Sequence, residues 1–256
     1  MATELRRCLT LFGQPLDVLR AYVGRKPYPG NCIVLKRGMG ALHLANRTED
    51  VITTFVVLVR DDYGPIKPGS VVLDIGANIG AFAVKALIDG AALVYCVEPS
   101  PSSVRALIET VASCPRSDAV IIDDRALWGA DGHTVFMPQS SSPSAIAHVT
   151  TSSAVTVGVS TVSFATLFER LTAYVDLVKI DCEGAEYRAV LESEPALWRR
   201  VGEVRMEYHN GRVAELVRHF KQGGLVLVSH VATPIEGLDH GVLVFRNPVH
   251  ATRHGT

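Results

Sequence analysis

An open α/β fold around a mostly parallel sheet is what the sequence predicts, and three observations carry the prediction. Residues 71–80 read VVLDIGANIG, in which apolar β-formers run into Asp74 and glycines at 76 and 80 lead into a helical stretch over 81–89. Further apolar runs at 93–97, 119–122 and 175–180 alternate with helical patterns, as parallel strands and their crossovers do. These runs end in Glu98-Pro99, Asp123-Asp124 and Asp181, at the strand ends where open α/β sheets bind ligands.

Composition bounds the answer. The chain has 256 residues, 48% hydrophobic and 20% charged, enough for one sizeable globular domain. Lys and Arg number 25 against 26 Asp and Glu, a net charge of -1, so no basic field exists to hold a phosphate backbone and nucleic acid is not expected as a partner. Five cysteines, at 8, 32, 96, 114 and 182, form no C-x-x-C pair and read as free thiols of a reducing compartment. No apolar run approaches the roughly 18 residues of a membrane span, and no secretory leader is evident, so a cytoplasmic protein without a membrane partner is expected.

Taken in order, Leu5, Cys8, Leu9 and Phe12, then Leu16, Leu19 and Val23, keep helical spacing until Pro27 and Pro29, and predict an N-terminal helical cover. Extended pieces at 31–35 and 41–44 flank Arg37-Gly38-Met39-Gly40 and predict a hairpin. The domain organisation expected is a cover over 1–48, a main domain over 49–247 and a tail over 248–256. Thr48 is the expected cap of a helix running from Glu49 to about Asp61.

After Glu98-Pro99, Ser100 is the expected cap and Pro101 the first residue of a helix with Val104, Leu107, Ile108 and Val111 on one face. Asp131-Gly132 predicts a tight turn and a hairpin within 128–138. Between 140 and 163, twelve of 24 residues are Ser or Thr. Its first part, 140–153, is expected to be a mobile lid, with 155–162 rejoining the fold as a strand. Ser163 caps the next helix, and 203–208 forms a strand running out through Glu207, Tyr208 and His209. Val213, Leu216, Val217 and Phe220 then mark a helix closed by Gly223-Gly224. Strands at 225–230 and 242–245 are joined so briefly that an antiparallel pair at one sheet edge is expected.

The glycine turn selects the cofactor. Asn78 stands where a dinucleotide fold needs its middle glycine, and Asp74 places a carboxylate where a diphosphate would be repelled. S-adenosylmethionine has no phosphate and carries an ammonium and a sulfonium, which suit that carboxylate directly or through water. Glu98, at the tip of the neighbouring strand, is the expected acceptor of both ribose hydroxyls, and Asp123 or Asp124 of the adenine amino group.

Methyl transfer from such a sulfonium needs an aligned nucleophile, and a nucleophile that carries a proton needs a base. His209 is the candidate, having a near-neutral unperturbed pKa at a strand end, with Asp181 as rival base or as its orienting carboxylate. Asp181, Glu207 and His209 are alternatively a set that could gather around Mg2+. A nicotinamide-dependent oxidoreductase and a cofactor-binding protein without turnover are the competing readings, separated by donor binding and by product.

VVLDIGANIG, YCVEPSP, DRALWG and VDLVKIDCEGAE, in this order and spacing, resemble the FkbM family of S-adenosylmethionine-dependent methyltransferases over about 49–246. The resemblance implies a Rossmann-like class I methyltransferase with a seven-stranded, mostly parallel sheet, one antiparallel edge strand and helices on both faces. It implies O-methylation of a small-molecule hydroxyl, often on a sugar, glycolipid or polyketide of secondary metabolism, and leaves a homodimer open. It places Asp74, Gly76, Asn78 and Gly80 on the cofactor turn, Glu98 (followed by Pro99) on the ribose, and Asp181 with Glu183 on a strand-end acidic motif.

Overall fold

The computed structural model describes residues 2–138, 156–171, 174–182, 184–209, 211–233 and 239–250. The Ser/Thr-rich 140–153 segment expected to form a lid, and Glu183, lie outside the described residues.

Among the described residues, twelve strands and eight α-helices follow one another along the chain. Helices α1 (Ala2–Leu11) and α2 (Pro15–Gly24) precede a hairpin of β1 (Cys32–Val34) and β2 (Ala41–His43), then α3 (Glu49–Thr54), which continues as a π-helical turn over Phe55–Arg60. The strand-turn-helix read from the sequence is β3 (Val71–Ile75) and α4 (Ala81–Ile88), followed by β4 (Leu93–Val97), α5 (Pro101–Ser113) and β5 (Val120–Asp123). Next come β6 (Ala126–Leu127), β7 (Thr134–Pro138), β8 (Thr156–Val162), α6 (Phe164–Arg170), β9 (Val175–Ile180) and α7 (Glu186–Leu191). The chain ends with β10 (Val201–His209), α8 (Val213–Gln222), β11 (Val226–Ala232) and β12 (His240–Arg246).

Seven strands share one sheet in the order β11-β12-β10-β9-β3-β4-β5. Strands β3 and β9, β9 and β10, and β4 and β5 pair in parallel, whereas β12 runs antiparallel to both β10 and β11. The short connection from β11 does produce the antiparallel pairing at this edge. The reversed strand is β12, which sits one place in from the edge.

The described residues form two compact units, one within 2–69 and 77–124, the other within 70–76, 125–138 and 156–250. In the first, α4 reads AFAVKALI, and its run from Ala81 to Ala86 is buried. Buried Lys85 meets Asp61 and Asp89, each at 2.8 Å, so its charge is compensated twice. Of the apolar residues in the N-terminal region, Cys8, Val18 and, between the helices, Phe12 are buried, whereas Leu5, Leu9, Leu16 and Val23 are exposed. The helices form, and these four side chains stay exposed among the described residues. Thr48 makes no capping bond to α3; Asn46 Oδ1 accepts from the Thr48 and Glu49 amides instead.

In the second unit, fully buried Trp198 sits edge-on to Phe164, Phe168 and Phe220, at centroid distances of 4.8, 5.7 and 4.7 Å. Such packing is worth several kcal/mol on truncation, and it joins α6 and α8 to the 3-10 turn Pro195–Arg200 that leads into β10. The hairpin expected within 128–138 is a different arrangement: β7 pairs with β8, and the small sheet runs β6-β8-β7. Asp131 explains the change, because its carboxylate binds Ser163 and Thr166 at the start of α6 rather than closing a β6-β7 turn.

Candidate active site

Parallel pairing of β3 with β9 sets Asp74 opposite Lys179. Both side chains are buried, and the ammonium lies 3.3 Å from the carboxylate. Lys179 Nζ also donates to the carbonyls of Gly76 at 2.7 Å and Ile75 at 3.2 Å, and stands 3.8 Å from Asp181. Burial pulls the lysine's pKa down, but the charges of Asp74 and Asp181 more than offset it, so Lys179 stays protonated. Burial pushes the Asp74 carboxyl up against the pull of Lys179. Asp74, expected at a cofactor's positive end, is fully buried and faces Lys179.

Gly76 has φ +73°, and a Cβ there would stand 1.7 Å from the Asp181 carbonyl oxygen. No residue with a side chain fits this backbone path. Asn78 also has positive φ, +49°, a conformation asparagine tolerates better than most residues. Its side-chain amide donates to Asp50 Oδ1 at 3.3 Å, and its backbone amide to Glu98 Oε2 at 2.8 Å. Asp50 is itself buried, which raises its pKa despite the amides of Asn46 and Asn78 that it accepts from. Asn78 therefore does more than replace a glycine: it ties the turn to Asp50 and to Glu98.

Glu98 is buried at the tip of β4, and its other oxygen accepts from the Ser100 amide at 2.8 Å. The expected Ser100 cap does not form, because its hydroxyl makes no capping contact. Two backbone donors thus orient a carboxylate that offers about four acceptor sites. The geometry fits a group presenting two hydroxyls. Pro99 follows half-buried. At the end of β5, Asp123 is buried and accepts from Tyr95 Oη at 2.9 Å, while Asp124 is exposed.

The remaining candidates gather on β10 and β12. Strand periodicity puts Glu207 and His209 on one face, and antiparallel pairing sets His240 opposite His209. His209 Nδ1 meets Glu186 Oε1 at 3.1 Å, and the His209 backbone amide donates to the same oxygen at 3.2 Å. Glu186 is fully buried at the start of α7 and also accepts from the Gly184 amide. The carboxylate that orients His209 is thus Glu186, where Asp181 was expected. Glu207 hydrogen-bonds His240 Nε2 and lies 4.0 Å from His209 Nε2. Burial, then the charge of Asp181, push the Glu207 carboxyl up against the pull of His240 and His209.

Among the described residues, the group with metal-ligand spacing is Glu207, His209 and His240. Asp181 is not part of it. Two imidazoles and one carboxylate do not suit Mg2+, which takes oxygen ligands, so the Mg2+ expectation finds no support. Sequence reasoning missed Lys179, Glu186, His240 and Asp50. Only His240 had a readable signal, an E-x-H strand followed by an antiparallel partner that opens on histidine.

Among solved structures, the chain is similar to M. jannaschii TYW2 in complex with AdoMet: 14% identity over 86% of this chain and 88% of that one, TM-score 0.46. It is also similar to magnesium protoporphyrin IX methyltransferase (ChlM) from Synechocystis PCC 6803 with bound SAM, at 11% identity over 78% and 79%, TM-score 0.42. No curated protein matches the sequence significantly. No helix among the described residues is long and apolar enough to cross a membrane. Residues 74–224, from the buried aspartate of β3 to the glycine pair after α8, match the methyltransferase FkbM domain. That is more than half of the 256 residues, so the chain belongs to the FkbM methyltransferase family.

Proposed function

We propose that the protein is an S-adenosylmethionine-dependent O-methyltransferase acting on a hydroxyl of a small molecule of the sugar, glycolipid or polyketide kind. The catalytic domain is the segment 49–247, between the 1–48 region and the 248–256 tail. S-adenosylmethionine supplies a methyl group on a positively charged sulfur, so the chain's own work is to hold donor and acceptor and to take away a proton. Glu98 holds the ribose, and the 76–80 turn, with Asn78 and Gly80, shapes the surface on which the donor lies. Pro99 follows the ribose acid, Asp124 is the adenine acceptor, and Asp181 with Asp74 acts through Lys179 to fix the turn.

The observation that carries the oxygen chemistry is the Glu186–His209 contact at 3.1 Å. A buried carboxylate on Nδ1 selects the tautomer that leaves Nε2 as the basic nitrogen. His209 then accepts the acceptor's hydroxyl proton at Nε2, with Glu207 beside it to stabilise the imidazolium. Balanced overall charge favours a small acceptor over RNA. Family membership sets aside the nicotinamide-dependent reading. The test is transfer of labelled methyl from S-adenosylmethionine to a panel of hydroxyl-bearing sugars, glycolipids and polyketides, run beside total RNA. Label in a small molecule, stable to mild base as an ether is, supports the reading; label only in RNA, or none in any fraction, overturns it.

A further inference from the structure

We infer that Glu207, His209 and His240 form a binding site for a divalent transition metal of the Zn2+ or Co2+ kind. The inference goes beyond the proposed methyl transfer and is tested without donor or acceptor. Three features support it. The ligand atoms all lie within 4.8 Å of one another, with His209 Nε2 and Glu207 Oε1 4.0 Å apart and the two imidazole centroids at 5.2 Å. Donors sharing one ion at about 2.0–2.2 Å lie roughly 3–3.5 Å apart, a spacing that small side-chain rotations reach.

The set is also built by the fold. Residues 207 and 209 share a strand face, and the β10/β12 register fixes 240 against 209. All three are half-buried, so the site is reachable while its ligands are held. The third feature is independent of the ligand atoms themselves. His209 Nδ1 is engaged by buried Glu186, and His240 Nδ1 faces the Thr233 carbonyl at 3.4 Å. A metal-binding imidazole characteristically gives its second nitrogen to a carboxylate or a backbone carbonyl, which directs the other nitrogen at the ion. Here one histidine has each kind of partner.

Two imidazoles and a carboxylate favour nitrogen-seeking first-row metals over Mg2+ or Ca2+ and leave coordination positions open. With an ion bound, His209 Nε2 would be a ligand and not a base, so the proton removal proposed above belongs to the metal-free protein, and the ion would instead lower the pKa of a hydroxyl at the site.

The experiment is titration of the full-length, chelator-treated and dialysed protein with Zn2+, Co2+ and Mg2+ by calorimetry, with Co2+ also followed by its visible absorption. One Zn2+ or Co2+ should bind per chain, and Mg2+ should not compete at equal concentration. His240→Ala and Glu207→Gln, on different strands, should each abolish saturable binding in protein that keeps its unfolding midpoint. Glu186→Gln should weaken it about 10- to 100-fold, the usual cost of losing a partner behind a ligand. His230→Ala, outside the cluster, should leave it unchanged. Absence of saturable Zn2+ and Co2+ binding overturns the site, as does binding that His240→Ala and Glu207→Gln leave intact. None of these readouts depends on methyl transfer, so the two readings fail separately.

Discussion

Asp74 and Lys179 stand directly opposite each other on parallel strands β3 and β9, and their charges meet at 3.3 Å with both side chains buried. Among the described residues neither Asp74 oxygen receives a well-directed hydrogen bond, and the Lys179 ammonium compensates its charge. Lys179 in turn holds the Ile75 and Gly76 carbonyls where the chain leaves the strand. The acid at the start of the glycine turn is therefore a support for the turn's shape, placed there by strand register.

Lys179→Met should consequently destabilise the protein by about 3–5 kcal/mol, because removing one partner strands a buried charge. Asp74→Asn with Lys179→Met should lose clearly less than the two single losses added together. Denaturant unfolding of the three variants measures this, and additive losses would show that the charges do not interact.

Gly76→Ala should eliminate donor binding and lower stability. Its Cβ would fall 1.7 Å from a backbone oxygen of Asp181, a distance that only movement of the strand end relieves. Gly132→Ala serves as the comparison, since nothing lies within 4 Å of a Cβ at that equally left-handed position. Donor affinity retained in Gly76→Ala would mean that the turn is not the donor's seat.

His209→Ala should keep donor affinity and lower turnover by a factor of about 10² to 10⁴, the usual contribution of a positioned base. Glu186→Gln should lower turnover less, because an amide still touches Nδ1 but no longer stabilises the imidazolium. Turnover on an identified acceptor checks both, and near-normal rates in His209→Ala would move the base to Asp181. Measuring each variant with and without chelator separates direct proton removal from the metal-assisted route.

Stability should rise with pH across the histidine range because of His219. Its ring is buried on α8 against Ser193, and burial lowers its pKa. The unfolded chain therefore binds the proton more readily, and protonation favours unfolding as pH falls below the free-histidine value of about 6.5. Thermal midpoints at about pH 5.5 and 7.5 should differ more in the wild type than in His219→Gln. Equal differences would assign the pH dependence to other groups.

The parts of this architecture that were legible in the sequence are local. The run into Asp74, the glycines at 76 and 80 and the Glu98-Pro99 strand end need only neighbouring residues to be read, and the structure places each in its expected element. What stayed hidden depends on register between distant segments. Lys179 shares its strand with Asp176 and four apolar residues, and nothing within that strand reveals a carboxylate 105 positions earlier in the chain. Glu186 lies behind a helix start, so its contact with His209 exists only once α7 and β10 are both placed. Neither Thr48 nor Ser100 caps its helix with its side chain: Asn46 Oδ1 accepts from the Thr48 and Glu49 amides at the start of α3, and the Ser100 hydroxyl contacts Ser102 Oγ at 3.1 Å.

The central claim, that the Asn78–Glu98 arrangement seats S-adenosylmethionine, is tested most directly by calorimetric titration of wild type and Glu98→Ala with that donor and with NAD. Wild type should bind S-adenosylmethionine and not NAD, and Glu98→Ala should weaken the donor by about 1–3 kcal/mol, the cost of leaving buried donors without an acceptor. Equal affinity of a folded Glu98→Ala for S-adenosylmethionine, or wild-type preference for NAD, would contradict it.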